Sequence, residues 1–239
     1  MAINSDTLVE VKKNQCGNGL LIENDGFIAM NEGNNKKLCE DIESSKINGE
    51  WYCPYPFIVD AVFQKYGIKN ANGRIYPEGI LKKQVEAYQD RIKEKRAMGE
   101  CNHPESSNID LGRVSHNIIE LHCERTTLVG KMELNITQGF VKYGIVSSLG
   151  DTVANLLLNG YKIGVSSRGV GSVEQDRMGN YIVGDDFELI CWDVVENPST
   201  TNAYIGSNHD ELKPYIESED KHGNVLSEKA NKIKNILNS

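Results

Sequence analysis

The chain has 239 residues, with 34 acidic and 26 basic side chains and a formal net charge of -8. Its 39% hydrophobic content and 22 glycines are ordinary for a globular protein that can bury a sizeable core. An acidic chain without a basic run is a poor general nucleic-acid binder, no stretch reaches the ~20 apolar residues of a membrane span, and the first residues lack the apolar core of a signal peptide. The expectation is a soluble, intracellular protein with neither a direct nucleic-acid nor a membrane partner.

In chain order, residues 1–50 are rich in Asn, Lys, Glu and Gly and read as a loosely ordered arm carrying a hairpin at most. Phe57 to Tyr66 is β-branched and aromatic and is stopped by Gly67, which predicts a strand. Asn70 to Pro77 is turn chemistry. Gly79 to Ala97 predicts a helix, because Leu81, Val85, Tyr88 and Ile92 recur at three- and four-residue steps.

Val114 to His122 and Leu128 to Leu134 alternate as strands around a turn at Glu124 to Thr127, and Val141 to Ser148 suggests another short strand. Asp151 is the expected cap of a helix from Thr152 to Leu158. A strand into Ser166, a Gly-rich turn (RGVG), a strand at Ser172 to Glu174, a turn at Arg177 to Asn180 and a long strand Phe187 to Val195 follow, with Pro198 as terminator. Beyond about residue 206 the sequence is charged and turn-rich and ends in a short amphipathic stretch. The expected organisation is an arm (1–50), a body (51–205) and a charged, mobile or processed tail (206–239). The body is α+β, dominated by antiparallel strands with a few helices.

Six cysteines (16, 39, 53, 101, 123 and 191) are scattered without a CxxC and are expected as reduced, mostly buried thiols. Neither Cys101 with His103 nor His122 with Cys123 has a standard zinc spacing, so no metal site is expected. A hydrolytic metal built from His103, His116, His122 and a cysteine is the weakest of the catalytic options for the same reason.

Three segments hold polar residues where packing alone would not ask for them. In GECNHPE, the proline after His103 holds that histidine in an extended or turn conformation, set by a rigid loop. Such a histidine is either a structural or exposed side chain or a general base. In GVSSRGVG, Ser166 and Ser167 end an apolar strand before glycines and Arg168. This is either a tight polar turn or a nucleophile whose oxyanion donors are backbone N–H groups near Arg168 and Gly169. In DDFELICWDVV, Asp193 sits within an apolar strand, where a buried carboxylate needs a partner such as a histidine or a serine hydroxyl.

GRIYP, GECNHPE, GVSSRGVGS and DDFEL with its D-V-V-x-x-P-S ending occur in this order between about Phe57 and Ser199. Together they resemble the prohead (capsid maturation) proteases of tailed bacteriophages, whose fold is similar to herpesvirus assemblin. The resemblance implies an antiparallel, β-barrel-like core and a serine endopeptidase. Its substrates would be capsid, scaffold and core proteins inside the assembling prohead in the host cytoplasm, and it would use no cofactor. It places the general base on His103 and the nucleophile on Ser166, with Ser167 as the alternative from relatives carrying S-x-G. The third member is where this sequence departs, because Arg125 to Gly130 holds no Asp; Asp193 and His116 are the candidates. Arg168 would help the oxyanion or position the turn.

Cleavage after Glu with an aliphatic residue two positions earlier, as the family generally performs, points to self-processing at Glu10 and Glu228. Assemblin-like relatives self-associate, which implies a homo-oligomer. The alternative from another class is a catalytically silent assembly or scaffold-associated protein. Retention of His103 and both serines argues against it.

Overall fold

The computed structural model describes residues 9–28, 33–104 and 106–196. Among the described residues nine strands form one branched sheet, accompanied by four α-helices. The strands are β1 Gly17–Ile28, β2 Ile58–Lys65, β3 Arg74–Ile75, β4 Met98–Glu100, β5 Val114–Glu124, β6 Thr127–Leu134, β7 Gly164–Gln175, β8 Tyr181–Val183 and β9 Glu188–Val195. The helices are α1 Gly33–Asn48, α2 Glu78–Lys93, α3 Gln138–Tyr143 and α4 Leu149–Leu158.

The sheet runs β3-β8-β7-β1-β2-β6-β5-β4, and β9 branches from β7. All ladders are antiparallel except β3 with β8. Among the described residues no ladder closes the order into a barrel: the end of β4 meets β9 through a single parallel bridge, Cys101 with Val194. The class is therefore mixed α+β with a mainly antiparallel sheet and few helices.

β6 buries every second residue, as a strand with one face on the core should. Its partner β2 contributes Val59, Ala61 and Phe63 to the same core, where Phe63 and Tyr88 of α2 both meet the Trp192 ring edge-on. α2 buries Leu81, Val85 and Tyr88, three of the four positions expected from the sequence periodicity; Ile92 packs partly buried at the edge.

Several expectations change. Residues 17–28, expected in a loose arm, form β1 between β2 and β7, and 33–48 form a helix that buries Leu38 and Ile42. The RGVG glycines do not make a turn but lie inside the twelve-residue β7, Gly169 paired with both β1 and β9 and Gly171 with β1. The strand expected at Val141 to Ser148 is replaced by α3 and a loop. Thr137 caps α3 by accepting from the Phe140 N–H, and Gly144 ends it in the left-handed region at φ 70°.

α4 begins one turn earlier than expected. Ser148 is its cap and Asp151 the reciprocal member of a capping box, while the Asp151 carboxylate also accepts from Thr137 and Ser147. None of the six cysteines is in a disulfide, but only Cys191 is buried outright; Cys16 is exposed and the others are half-buried. Pro198 lies outside the described residues.

Candidate active site

Antiparallel pairing of β7 with β9 puts Ser166 directly opposite Asp193 and Arg168 opposite Cys191. Directly opposed residues share a face, so these four side chains point the same way. Ser167 points to the other side, with Trp192 opposite on β9 and Glu23 opposite on β1.

β4 delivers the histidine onto that face. Gly99 lies against β9 so closely that a Cβ there would run into the Trp192 carbonyl and the His116 ring, so the position has room only for glycine. Asn102 then takes a left-handed φ of 64° and donates its N–H to the Val194 carbonyl at 2.8 Å. Arg113 fastens the bend through Nη2, which donates to the carbonyls of Cys101 at 2.8 Å and Asn102 at 3.3 Å. The chain is thereby turned over the end of β9 with His103 above Asp193.

His103 Nδ1 lies 2.8 Å from Asp193 Oδ2, and His103 Nε2 is hydrogen-bonded to Ser166 Oγ. An ionised carboxylate only accepts, so Nδ1 carries the proton and donates to Asp193. Nε2 is then left bare to accept from the serine hydroxyl. Ser166 and Asp193 are fully buried, whereas the His103 side chain keeps 15% exposure.

Asp193 Oδ1 accepts from the Glu100 N–H at 3.0 Å, from Arg168 Nη2 at 3.3 Å and from the Cys191 thiol at 3.2 Å. Burial alone would push this carboxyl up. The His103 hydrogen bond, the Arg168 and His103 charges and the Glu100 N–H outweigh it and hold the group below the usual carboxylate range. Burial, reinforced by the Asp193 charge, pushes the Cys191 thiol far up, so it stays protonated and can donate.

The Arg168 guanidinium is completely buried. Nη2 donates to Glu100 Oε1 at 3.0 Å, Nη1 to the Ser106 carbonyl at 2.7 Å, and Nε lies 3.0 Å from Asp193 Oδ2. Glu100 in turn accepts from the Asp110 N–H at 2.8 Å and pairs with Arg113 Nε at 3.3 Å. The oxyanion role expected for Arg168 and Gly169 thus changes its footing. The guanidinium is spent on carboxylates and a loop carbonyl, and the backbone of both residues sits in ladders on two sides.

The other expected residues fall elsewhere. His116 is buried on β5, donates from Nε2 to the Trp192 carbonyl at 3.1 Å and accepts at Nδ1 from the Ser115 hydroxyl at 3.0 Å. Both ring nitrogens are used away from His103, and burial pushes the imidazole down to about 4. Ser167 Oγ has no hydrogen-bond partner among the described residues. His122 lies on the surface between Glu120 and Glu124, and no cluster of three metal-ligating side chains exists among the described residues. Glu10 forms an isolated bridge with Leu20 and pairs with Lys12; Glu228 lies outside the described residues.

Sequence reasoning missed the parts played by Glu100, Arg113, Ser106 and Cys191. Glu100 had a readable signal, since it stands three residues before His103 in the same short motif.

A serine hydroxyl, an imidazole and a buried carboxylate linked in that order form the constellation serine hydrolases use, on a frame of antiparallel strands. Comparison with known proteins agrees. The family model described as prohead core protein serine protease matches residues 20–212, and the chain belongs to that family. The prohead core protein protease of enterobacteria phage T4 is 31% identical over 149 residues, covering 62% of this chain and 66% of that protein, just under two thirds of its length. The structure of the bacteriophage T4 capsid assembly protease, gp21, matches with a TM-score of 0.58 at 26% identity. It covers 75% of this chain and 98% of the other.

Proposed function

We propose that this protein is a serine endopeptidase that acts on capsid, scaffold and core proteins of the assembling phage prohead in the host cytoplasm. The observation that carries the reading is the unbroken Asp193–His103–Ser166 hydrogen-bond chain. Ser166 Oγ attacks the scissile carbonyl while His103 Nε2 takes its proton. The tetrahedral intermediate collapses as His103 returns that proton to the leaving amine, and a water repeats the sequence on the acyl-enzyme. Asp193 fixes the imidazole tautomer and stabilises the imidazolium. No step calls on a metal or organic cofactor.

Finer readings rest on the same family membership. The sheet is assemblin-like, a barrel-like wrap held at its seam by the bridge of Cys101 with Val194. The protease body begins by Gly17, and the protein works as a homo-oligomer. Self-processing after Glu10 requires the bridge to Leu20 to open first, because Val9 O and Val11 N are both bonded to Leu20 in the folded chain, each at 3.0 Å. Glu228 is the second self-processing position.

A fluorophosphonate probe, read by peptide mass mapping, tests the central assignment. Ser166 is labelled in the wild type and in Ser167→Ala, and labelling is lost in Ser166→Ala and His103→Ala. Label on Ser167, or cleavage of a capsid precursor by Ser166→Ala, overturns the assignment. Absence of both labelling and cleavage in the wild type returns the protein to the class of silent assembly factors.

A further inference from the structure

We propose that Glu100 and Arg168 are paired positioning residues that set the charge seen by the His103 imidazole: Arg168 clamps Asp193, and Glu100 offsets the charge that the clamp brings. The proposal rests on the Ser166–His103–Asp193 reading and deepens it.

The geometry carries the argument. One buried guanidinium reaches both oxygens of Asp193, one oxygen of Glu100 and the carbonyl of Ser106, in the loop that follows His103 and Pro104. The same Glu100 holds Asp193 through its backbone N–H and Arg168 through its side chain. Orienting Asp193 needs only hydrogen bonds, which an uncharged amide could supply. A full cation does more, because it draws on the same carboxylate that must stabilise the imidazolium. Left alone, Arg168 would make His103 a weaker base.

The described titratable groups around Asp193, which holds His103, come from four strands, α2, a 3₁₀ turn and the bend after β4. β9 brings Asp193 and the neutral Cys191 thiol, β7 brings Arg168, and β4 with its following bend brings Glu100 and the half-buried Cys101, whose thiol burial pushes up. Arg113 approaches from the 3₁₀ turn Leu111–Arg113. β5 brings His116, neutral above about pH 4, and α2 brings Tyr88, whose phenol is kept neutral by burial. Among these described groups two carboxylates, Asp193 and Glu100, stand against two guanidinium groups, Arg168 and Arg113, and within the buried set Glu100 offsets Arg168. Removing either buried member upsets that offset, in opposite directions.

The test is the rate of fluorophosphonate inactivation against pH, measured on the full chain for wild type, Arg168→Met, Glu100→Gln and the double variant, with near-UV circular dichroism to confirm folding. The acid limb reports when the imidazole becomes a free base. Glu100→Gln leaves an uncompensated cation, opposes imidazole protonation and moves the limb down by roughly one pH unit. Arg168→Met removes a cation and moves it up by a similar amount. The double variant returns close to the wild-type limb. Arg168→Lys keeps the charge but not the planar fork, so its limb stays in place while the rate falls about tenfold.

Limbs that move together, or that stay fixed in folded variants, overturn the proposal while leaving the catalytic assignment intact. Failure of the wild type to be labelled at all overturns the assignment itself. Should Arg168→Met not fold, the downward shift in the near-isosteric Glu100→Gln decides alone.

Discussion

Two buried acid–arginine clusters lie on either side of β7, and they do different work with the same ingredients. On one side Glu23 accepts from Arg74 Nη1, Tyr76 Oη at 3.0 Å and the side-chain amides of Asn70 and Asn72, both at 2.7 Å. Arg74 Nη2 reaches the Val11 carbonyl. Each of these donors to Glu23 comes from the GRIYP segment or the turn before it. On the other side Asp193 has comparable partners, but its Oδ2 is shared between Arg168 Nε and His103, which alone of Asp193, His103 and Ser166 keeps solvent exposure. Burial wins at Glu23, whose carboxyl is pushed up despite Arg74, and loses at Asp193, whose carboxyl is held down. A buried carboxylate held by donors of the neighbouring strand and turn staples them together; one that also holds an imidazole can take part in chemistry.

The sharpest way to break the comparison is Arg74→Met. It strands a buried carboxylate and releases Val11, and should cost about 3–5 kcal/mol, seen as a fall in the urea midpoint. Fluorophosphonate labelling of the protein that remains folded should proceed at the wild-type rate. A loss of labelling in folded protein would show that the two clusters are coupled through β7.

The next effect is one of pH and belongs to the catalytic side. His116 is neutral when folded and titrates near 4, against about 6.5 when unfolded. The unfolded chain therefore binds more protons as pH falls. Stability is fully present above about 6.5 and drains by about 3 kcal/mol on descending to 4. Thermal melts of wild type and His116→Gln at pH 7 and pH 4.5 check this: the variant should lose much less on acidification. Equal losses would place the acid sensitivity elsewhere.

The smallest effect concerns the second serine. Ser167→Ala removes a buried hydroxyl that has no partner among the described residues, so stability should change by less than about 1 kcal/mol, in the favourable direction if at all. A tenfold fall in labelling rate would assign Ser167 to the chemistry and undo the separation of the two faces.

How legible this was in the sequence depended on whether a residue's neighbours are local. His103, Ser166 and Asp193 stand in short motifs whose chemistry is out of place for a core, and β6 announces itself by strict alternation. β1 does not, because GNGLLIENDGFI carries the glycines and Asn/Asp residues of a turn. It becomes a strand only because β7 and β2 flank it. α1 is almost entirely polar and shows the core little beyond Leu38 and Ile42, too narrow a stripe for periodicity to detect. Gly169 has the look of turn chemistry in the sequence, yet it sits in mid-strand because the Phe187 ring occupies the place of a side chain. In each case the deciding partner lies far away in sequence.

The adjacent serines of β7 have a consequence for how the strand must be assembled. Sliding a strand by one residue turns all its side chains to the opposite face. In most strands that would remove the functional group from the site, but here a slipped β7 would still present a hydroxyl to His103, from Ser167. What it would lose is the cation, because Gly169 would take the place of Arg168. An assembly error at this position would thus keep a hydroxyl beside His103 and yet be ruinous to the carboxylate pair beneath it. Arg168, bound to partners on β4, β9 and the loop at Ser106, gives the strand a single energetically acceptable alignment.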